Sequence, residues 1–200
     1  MYQAVIVGLG NPGPEYAHTR HNCGFDSLDY LLREAQEEGR LRELSGSKFA
    51  CKLWQADVPR VSSNLLCVKP LTFMNESGRC VQPLLAWHKM GVESLIVLHD
   101  ELDIPPGQLR CKSGGGNAGH NGLKSICAQL GSPQFLRIRI GIGRPLEKSK
   151  VINWVLGRPS GQEQEDIAYA QQKAIDVLAC YLQKGLEAAV TMARNVGKIS

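Results

Sequence analysis

Short apolar runs alternate with stretches of helical periodicity along almost the whole chain, and this interleaving constrains the fold more than any other feature. Ala4–Val7 is a strand-length run that breaks into the turn residues Gly8-Leu9-Gly10-Asn11-Pro12-Gly13. Leu28, Leu31, Leu32 and Ala35 then recur at i, i+3, i+4 and i+7, which predicts an amphipathic helix over roughly Phe25–Gln36. Arg40–Ser47 reads as a polar connection, followed by two strands, Lys52–Val58 and Asn64–Lys69, the second ending at Pro70. Helical spacing resumes near Ser77, with Val81, Leu84, Leu85 and His88 on one face, and stops at Gly91. Leu95–His99 is a buried strand running into Asp100-Glu101-Leu102-Asp103. Leu123, Ile126, Cys127 and Leu130 mark a further helix, stopped by Gly131. Strands that alternate with helices predict one α/β domain over residues 1–200, with a twisted mixed, largely parallel sheet flanked by helices. The C-terminus is helical from about Gln162 to Arg194 with a break near Gly185, and the last six or so residues read as a loose tail.

Two segments stand out. Ile104–Gly119 holds two prolines and five glycines and reads as a mobile segment able to gate a cleft. Leu136–Ile142 alternates strictly: Leu136, Ile138, Ile140 and Ile142 face one way, and Arg137, Arg139 and Gly141 the other, which predicts a strand with a basic, open face. Between Ile104 and Arg158 nine basic residues stand against one acid, Glu147, although the whole chain carries only +4. A face this basic suits a polyanion, most often nucleic acid.

No apolar run is long enough to cross a bilayer, and the start of the chain has neither a basic stretch nor a small-residue cleavage site. The seven cysteines are dispersed and odd in number, with no C-x-x-C pair, so they read as reduced thiols of a cytoplasmic protein.

The glycine motifs do not make a nucleotide site. Gly8-x-Gly10-x-x-Gly13 follows a strand, but Pro12, Pro14 and the polar run Glu15–Asn22 intervene where the dinucleotide fingerprint requires a helix to open. Gly114–Gly119 is followed by His120 where a phosphate-binding loop needs Lys. No cofactor is expected, and a nucleotide-dependent oxidoreductase is disfavoured.

Polar residues at strand ends and helix starts carry more. Asn11 follows the first strand and His21-Asn22 precedes the first helix. Phe73-Met74-Asn75 joins a strand to a helix. Asp100 ends a strand, and His120-Asn121 opens a helix. In open α/β sheets such residues converge outside the carboxyl ends of the strands. Asn11, Asn75 and Asn121 could each be only a cap or a turn residue, and for any one of them taken singly capping is the commoner role. His18-x-x-His21 lacks a third metal ligand in its segment, and His99-Asp100-Glu101-x-Asp103 could hold Mg²⁺. A strand-end Asp beside a His is as often the partner that orients a general base. With no serine or cysteine in a nucleophile motif, water activated directly by histidine is favoured, and no metal is expected.

Val7-Gly8-Leu9-Gly10-Asn11-Pro12-Gly13-x-x-Tyr16, Thr19-Arg20-His21-Asn22-x-Gly24, Lys69-Pro70-x-Thr72-Phe73-Met74-Asn75-x-Ser77-Gly78, His99-Asp100-Glu101-Leu102-Asp103, Gly114-Gly115-Gly116-x-x-Gly119-His120-Asn121-Gly122-Leu123 and Arg139-Ile140-Gly141-Ile142-Gly143 together resemble the bacterial peptidyl-tRNA hydrolases, in order, from residue 5 to about 158. The resemblance implies a monomeric, metal-independent esterase. It would release peptide and free tRNA from peptidyl-tRNA, recycling tRNA after abandoned translation. It implies His21 as general base, Asp100 holding it in its basic form, and Asn11 distinguishing peptidyl- from aminoacyl-tRNA. It implies Tyr16, Phe73, Met74, Asn75, His120 and Asn121 at the 3′ end and peptide, and Lys112 and Arg139 as a clamp on the tRNA 5′-phosphate. The oxyanion donor stays open between Asn75, Asn121 and backbone amides at the start of the His120 helix. The alternative is a non-catalytic RNA-binding module on the same fold.

Overall fold

The computed structural model describes residues 2–58 and 63–197. Seven strands form one sheet in the order β2-β3-β4-β1-β5-β7-β6. They are β1 (Ala4–Gly8), β2 (Leu41–Leu44), β3 (Cys51–Val58), β4 (Ser63–Pro70), β5 (Leu95–Glu101), β6 (Leu109–Ser113) and β7 (Leu136–Gly141). The four central strands β4, β1, β5 and β7 run parallel. The antiparallel pairs β2/β3, β3/β4 and β6/β7 complete the two edges. Helices α1 (Cys23–Glu37), α2 (Ser77–Trp87), α3 (Asn121–Leu130), α4 (Val151–Leu156), α5 (Gly161–Lys184) and α6 (Leu186–Asn195) surround it.

The continuous apolar runs of β1 and β5 exist because both faces of these strands are covered. Ala4 and Ile6 of β1, with Ile96 and Leu98 of β5, pack under α1, α5 and α6. Val5 and Val7, with Leu95 and Val97, pack under α2 and α3. Chain exits diverge at β1: β4 lies on one side of it and β5 on the other. The crevice outside their carboxyl ends is where such a sheet places a ligand. The start of α1 lies hard against that end. A side chain on Gly24 would run into the Leu98 carbonyl and the Leu9 backbone, so glycine is what lets the helix enter there.

Three expectations change. Arg40–Ser47 contains β2, an edge strand whose Leu41-Arg42-Glu43-Leu44 does not alternate, since the two leucines are three apart and the charged residues adjacent, so no period-two signal marks it. Ile104–Gly119 is not one mobile loop: it contains β6, with Leu109 and Cys111 buried against β7. The β7 face carrying Arg137 is not open. Arg137 is fully buried, its guanidinium stacked 4.7 Å over Phe135 and bonded to the carbonyls of Gly116 (2.9 Å) and Pro133 (3.3 Å). The glycine-rich turn has folded down onto it.

The long helical C-terminus breaks at Gly185, whose φ of 81° favours glycine. In the expected tail, Asn195 closes α6 and Val196 is buried, while residues 198–200 lie outside the described residues. All seven cysteines are unpaired. Among the described residues no helix is long and apolar enough to cross a membrane.

Candidate active site

Asp100, near the end of β5, is the hub of the site. One of its oxygens, Oδ1, lies 2.9 Å from Nδ1 of His21 and 2.9 Å from Nε2 of His120. His21 comes from a single 3-10 turn, Arg20–Asn22, immediately before α1, and His120 comes from the start of α3. All three side chains are nearly buried, at 12%, 3% and 6% exposure for His21, Asp100 and His120, so the pairing acts in a largely water-excluded setting.

Hydrogen bonds separate the roles of the two histidines. Nδ1 of His120 accepts the amides of Gly122 (3.2 Å) and Leu123 (3.4 Å), capping α3. It is therefore the acceptor nitrogen, Nε2 carries the proton given to Asp100, and neither nitrogen is free for proton transfer. His21 donates from Nδ1 to Asp100, which leaves its Nε2 as an uncommitted lone pair. Of the two, His21 alone keeps a ring nitrogen free to accept a proton. Burial by itself would lower its pKa, but the charge and hydrogen bond of Asp100 prevail and raise it above the ordinary 6.5. Burial opposes ionisation of Asp100. The charge that His21 carries when protonated, and the hydrogen bonds both imidazoles donate, hold its carboxyl well below the usual range. Behind them His99 is fully buried, donates from Nδ1 to the Asp100 carbonyl (2.7 Å) and meets the His120 ring edge-on. Burial pushes its pKa well down, so it stays neutral.

Among the described residues His21, Asp100 and His120 have ligand atoms within 4.8 Å of one another, a spacing that could hold a metal ion. His18 is not part of this group: it points to Asp26 at 3.4 Å and its side chain is 81% exposed. If imidazole activates the water, prolonged EDTA treatment will leave activity intact once the RNA is kept folded. Activity that tracks removal of a bound zinc would make these residues ligands instead.

Asn11, just after β1, is tied to the turn that carries His21. Its Oδ1 accepts the Met74 amide at 2.8 Å, so its carboxamide nitrogen is the end left over. Its backbone is held by Asn22, whose place before α1 marked it in the sequence but whose partner did not show there. The Asn22 Oδ1 accepts the Asn11 amide (2.8 Å), and its Nδ2 donates to the Asn11 carbonyl (3.0 Å). Met74 itself is buried, packed against Leu9 and Gly122, and reaches the site through its backbone. Tyr16 and the exposed Phe73 meet edge-to-face at 6.4 Å, and Asn75 and Asn121 are exposed. A cavity of about 360 Å³ opens over the pair, lined by His21, Asp100, Leu102, His120, Asn121 and Ile152. Asn11 does not line it but borders a second cavity of about 370 Å³ with His18, Asn22 and Lys69.

Two braces were invisible in the sequence. Arg20 is buried, makes two bonds to Glu163 of α5 (2.7 and 2.6 Å), and lies 3.9 Å over the Trp154 ring of α4. Glu101 takes both Nε and Nη2 of Arg139 (3.0 and 2.9 Å). Lys112 and Arg139 are on adjacent strands, and Lys112 pairs in register with Arg137. The pKa of Lys112 is lowered by partial burial and by the charges of Arg139 and Arg137. The cations are thus held together against their repulsion.

The family model for peptidyl-tRNA hydrolase matches residues 5–199. The chain belongs to the peptidyl-tRNA hydrolase family. It is 55% identical over 192 residues to the peptidyl-tRNA hydrolase of Desulfovibrio desulfuricans, covering 96% of this chain and 84% of that one. It is 47% identical to that of Solidesulfovibrio magneticus, covering 97% and 92%. The crystal structure of the peptidyl-tRNA hydrolase from Acinetobacter baumannii superposes with a TM-score of 0.89 at 35% identity, covering 96% of this chain and 95% of that one. The site described above therefore sits on the fold of this hydrolase family.

Proposed function

We propose that His21 activates water against the ester of peptidyl-tRNA, the hydrolysis carried out by this chain as a member of its family. The observation that carries the assignment is the division of labour at Asp100. His120 spends both nitrogens, and His21 keeps one. Nε2 of His21 takes a proton from water as its oxygen attacks the ester carbonyl. The same nitrogen then returns the proton to the leaving ribose oxygen, giving a peptide carboxylate and a free 3′ end. Asp100 stabilises the imidazolium formed between these steps. The Gly122 and Leu123 amides are taken by His120, which favours the carboxamides of Asn75 and Asn121 as oxyanion donors. The free amide end of Asn11 would meet peptide backbone, where the charged amine of an aminoacyl-tRNA sits badly. Tyr16 and Phe73 offer an aromatic edge to the 3′ end. The enzyme would act as a cytoplasmic monomer. A single-turnover assay on N-acetylaminoacyl-tRNA separates the readings: release of free tRNA supports the esterase, and tight binding without hydrolysis supports an RNA-binding module.

Lys112 and Arg139 are proposed to bind the tRNA 5′-phosphate, fixing one end so that the 3′ ester reaches His21. Lys112→Ala and Arg139→Ala are expected to weaken full tRNA by about 1–3 kcal/mol each while barely affecting a minimal 3′ fragment that lacks the 5′ end. KM measured with and without the 5′-phosphate checks this. Equal penalties on both RNAs would reduce the pair to two of many surface cations.

A further inference from the structure

Asn22 occupies the N-cap of α1, the position where asparagine ordinarily bonds a first-turn amide, yet its side chain makes no capping bond. Both ends of its carboxamide are spent instead on the backbone of Asn11, eleven residues earlier. At α3 the opposite holds: a histidine, a poor capping residue by general preference, does the capping. A local preference overridden at a buried position, with the displaced group fully bonded elsewhere, marks a residue held for another purpose.

That purpose can be read from the geometry. His21 and Asn22 are consecutive in one 3-10 turn. The His21 side chain goes to Asp100 and the Asn22 side chain goes to Asn11. Asn11 is then held at three points: its amide and carbonyl by Asn22, and its own Oδ1 by the Met74 amide. Only Nδ2 of Asn11 remains to meet a ligand. The distance between the base and that nitrogen is therefore set through Asn22 and a single peptide bond, with Asn22 itself buried at 4% exposure.

We propose that Asn22 is a positioning residue that sets the register between the peptide-recognising amide of Asn11 and the base His21, so that substrate selection depends on it although it touches no substrate. The proposal rests on the reading of Asn11 given above. It makes Asn22 act through Asn11 alone, a claim that a double-mutant cycle tests directly.

Asn11→Ala, Asn22→Ala and the double variant are assayed on N-acetylaminoacyl-tRNA and on aminoacyl-tRNA. Asn22→Ala is expected to raise KM for the peptidyl analogue roughly tenfold, as for loss of a buried hydrogen-bonded contact. It should narrow discrimination between the two substrates to the same extent as Asn11→Ala, and the double variant should be no worse than the more impaired single. The acid limb of the pH profile should stay where it is, because His21 and Asp100 are untouched. If Asn22→Ala folds poorly, Asn22→Asp replaces it. That variant keeps the acceptor for the Asn11 amide but sets a carboxylate oxygen against the Asn11 carbonyl, so the same KM effect is expected; it is read by KM and discrimination alone, because its charge beside His21 moves the acid limb by itself. Multiplying penalties, a shifted acid limb, or a lowered Tm with discrimination unchanged would each overturn the proposal. An Asn11→Ala variant that still discriminates would overturn it by another route, identifying the reading of Asn11 as the fault, while hydrolysis by wild type keeps the esterase reading intact.

Discussion

Replacing His21 by alanine is expected to lower kcat by at least about 100-fold while tRNA binding persists, because a lost general base costs on the order of 10²–10⁴. No neighbour can substitute. His120 is the nearest imidazole, with ring centroids 5.1 Å apart, and its two nitrogens are committed to Asp100 and to the first turn of α3. His99 is fully buried and neutral. Rates at near wild-type level in the His21→Ala variant would remove His21 from the mechanism, and Kd for tRNA measured alongside shows whether the loss is chemical.

Asp100→Asn is expected to slow kcat by about 10²–10⁴-fold as well and, unlike the first variant, to move the pH profile. The working form of His21 is neutral, so kcat/KM rises with pH as the proton leaves. In the wild type that rise is centred above 6.5, since the carboxylate outweighs burial and favours the protonated ring. With asparagine the opposing charge is gone and burial acts alone, so the acid limb moves to lower pH even as the plateau falls. An unchanged limb would mean that Asp100 does not set the proton affinity of the base.

The alternation of apolar runs and helical periodicity predicted the α/β class and the central strands because β1, β4 and β5 are buried on both faces and leave unbroken signals. β6 was hidden for the reverse reason. Leu109-Arg110-Cys111-Lys112-Ser113 is an edge strand of five residues between glycine- and proline-rich turns, and its identity comes from pairing with β7. Arg137 shows the limit of alternation: period two correctly put it opposite Ile138, but only the fold of Gly114–Gly119 buries it. Places at strand ends and before a helix marked His21, Asp100 and Asn11, and the family resemblance implied their roles. The structure brings all three to the ends of β1 and β5, and adds His120 to the same carboxylate. Asn22, Glu101 and Arg20 stand in segments the sequence marks, but the bonds that make them braces were not legible, since their partners lie 11, 38 and 143 positions away and no local pattern announces them.

The Arg20 brace bears on how the protein is made. Every residue proposed for the catalytic centre has been synthesised once His120 and Asn121 have left the ribosome. The turn carrying His21 is nevertheless tied by the Arg20 amide to Gly157, by its guanidinium to Glu163, and by stacking to Trp154. A nascent chain ending before α4 holds the proposed base, its carboxylate and its asparagines without the contacts that secure the turn between them. Competence therefore arrives late in elongation, when the C-terminal helices emerge and close a loop of more than a hundred residues onto the N-terminal turn.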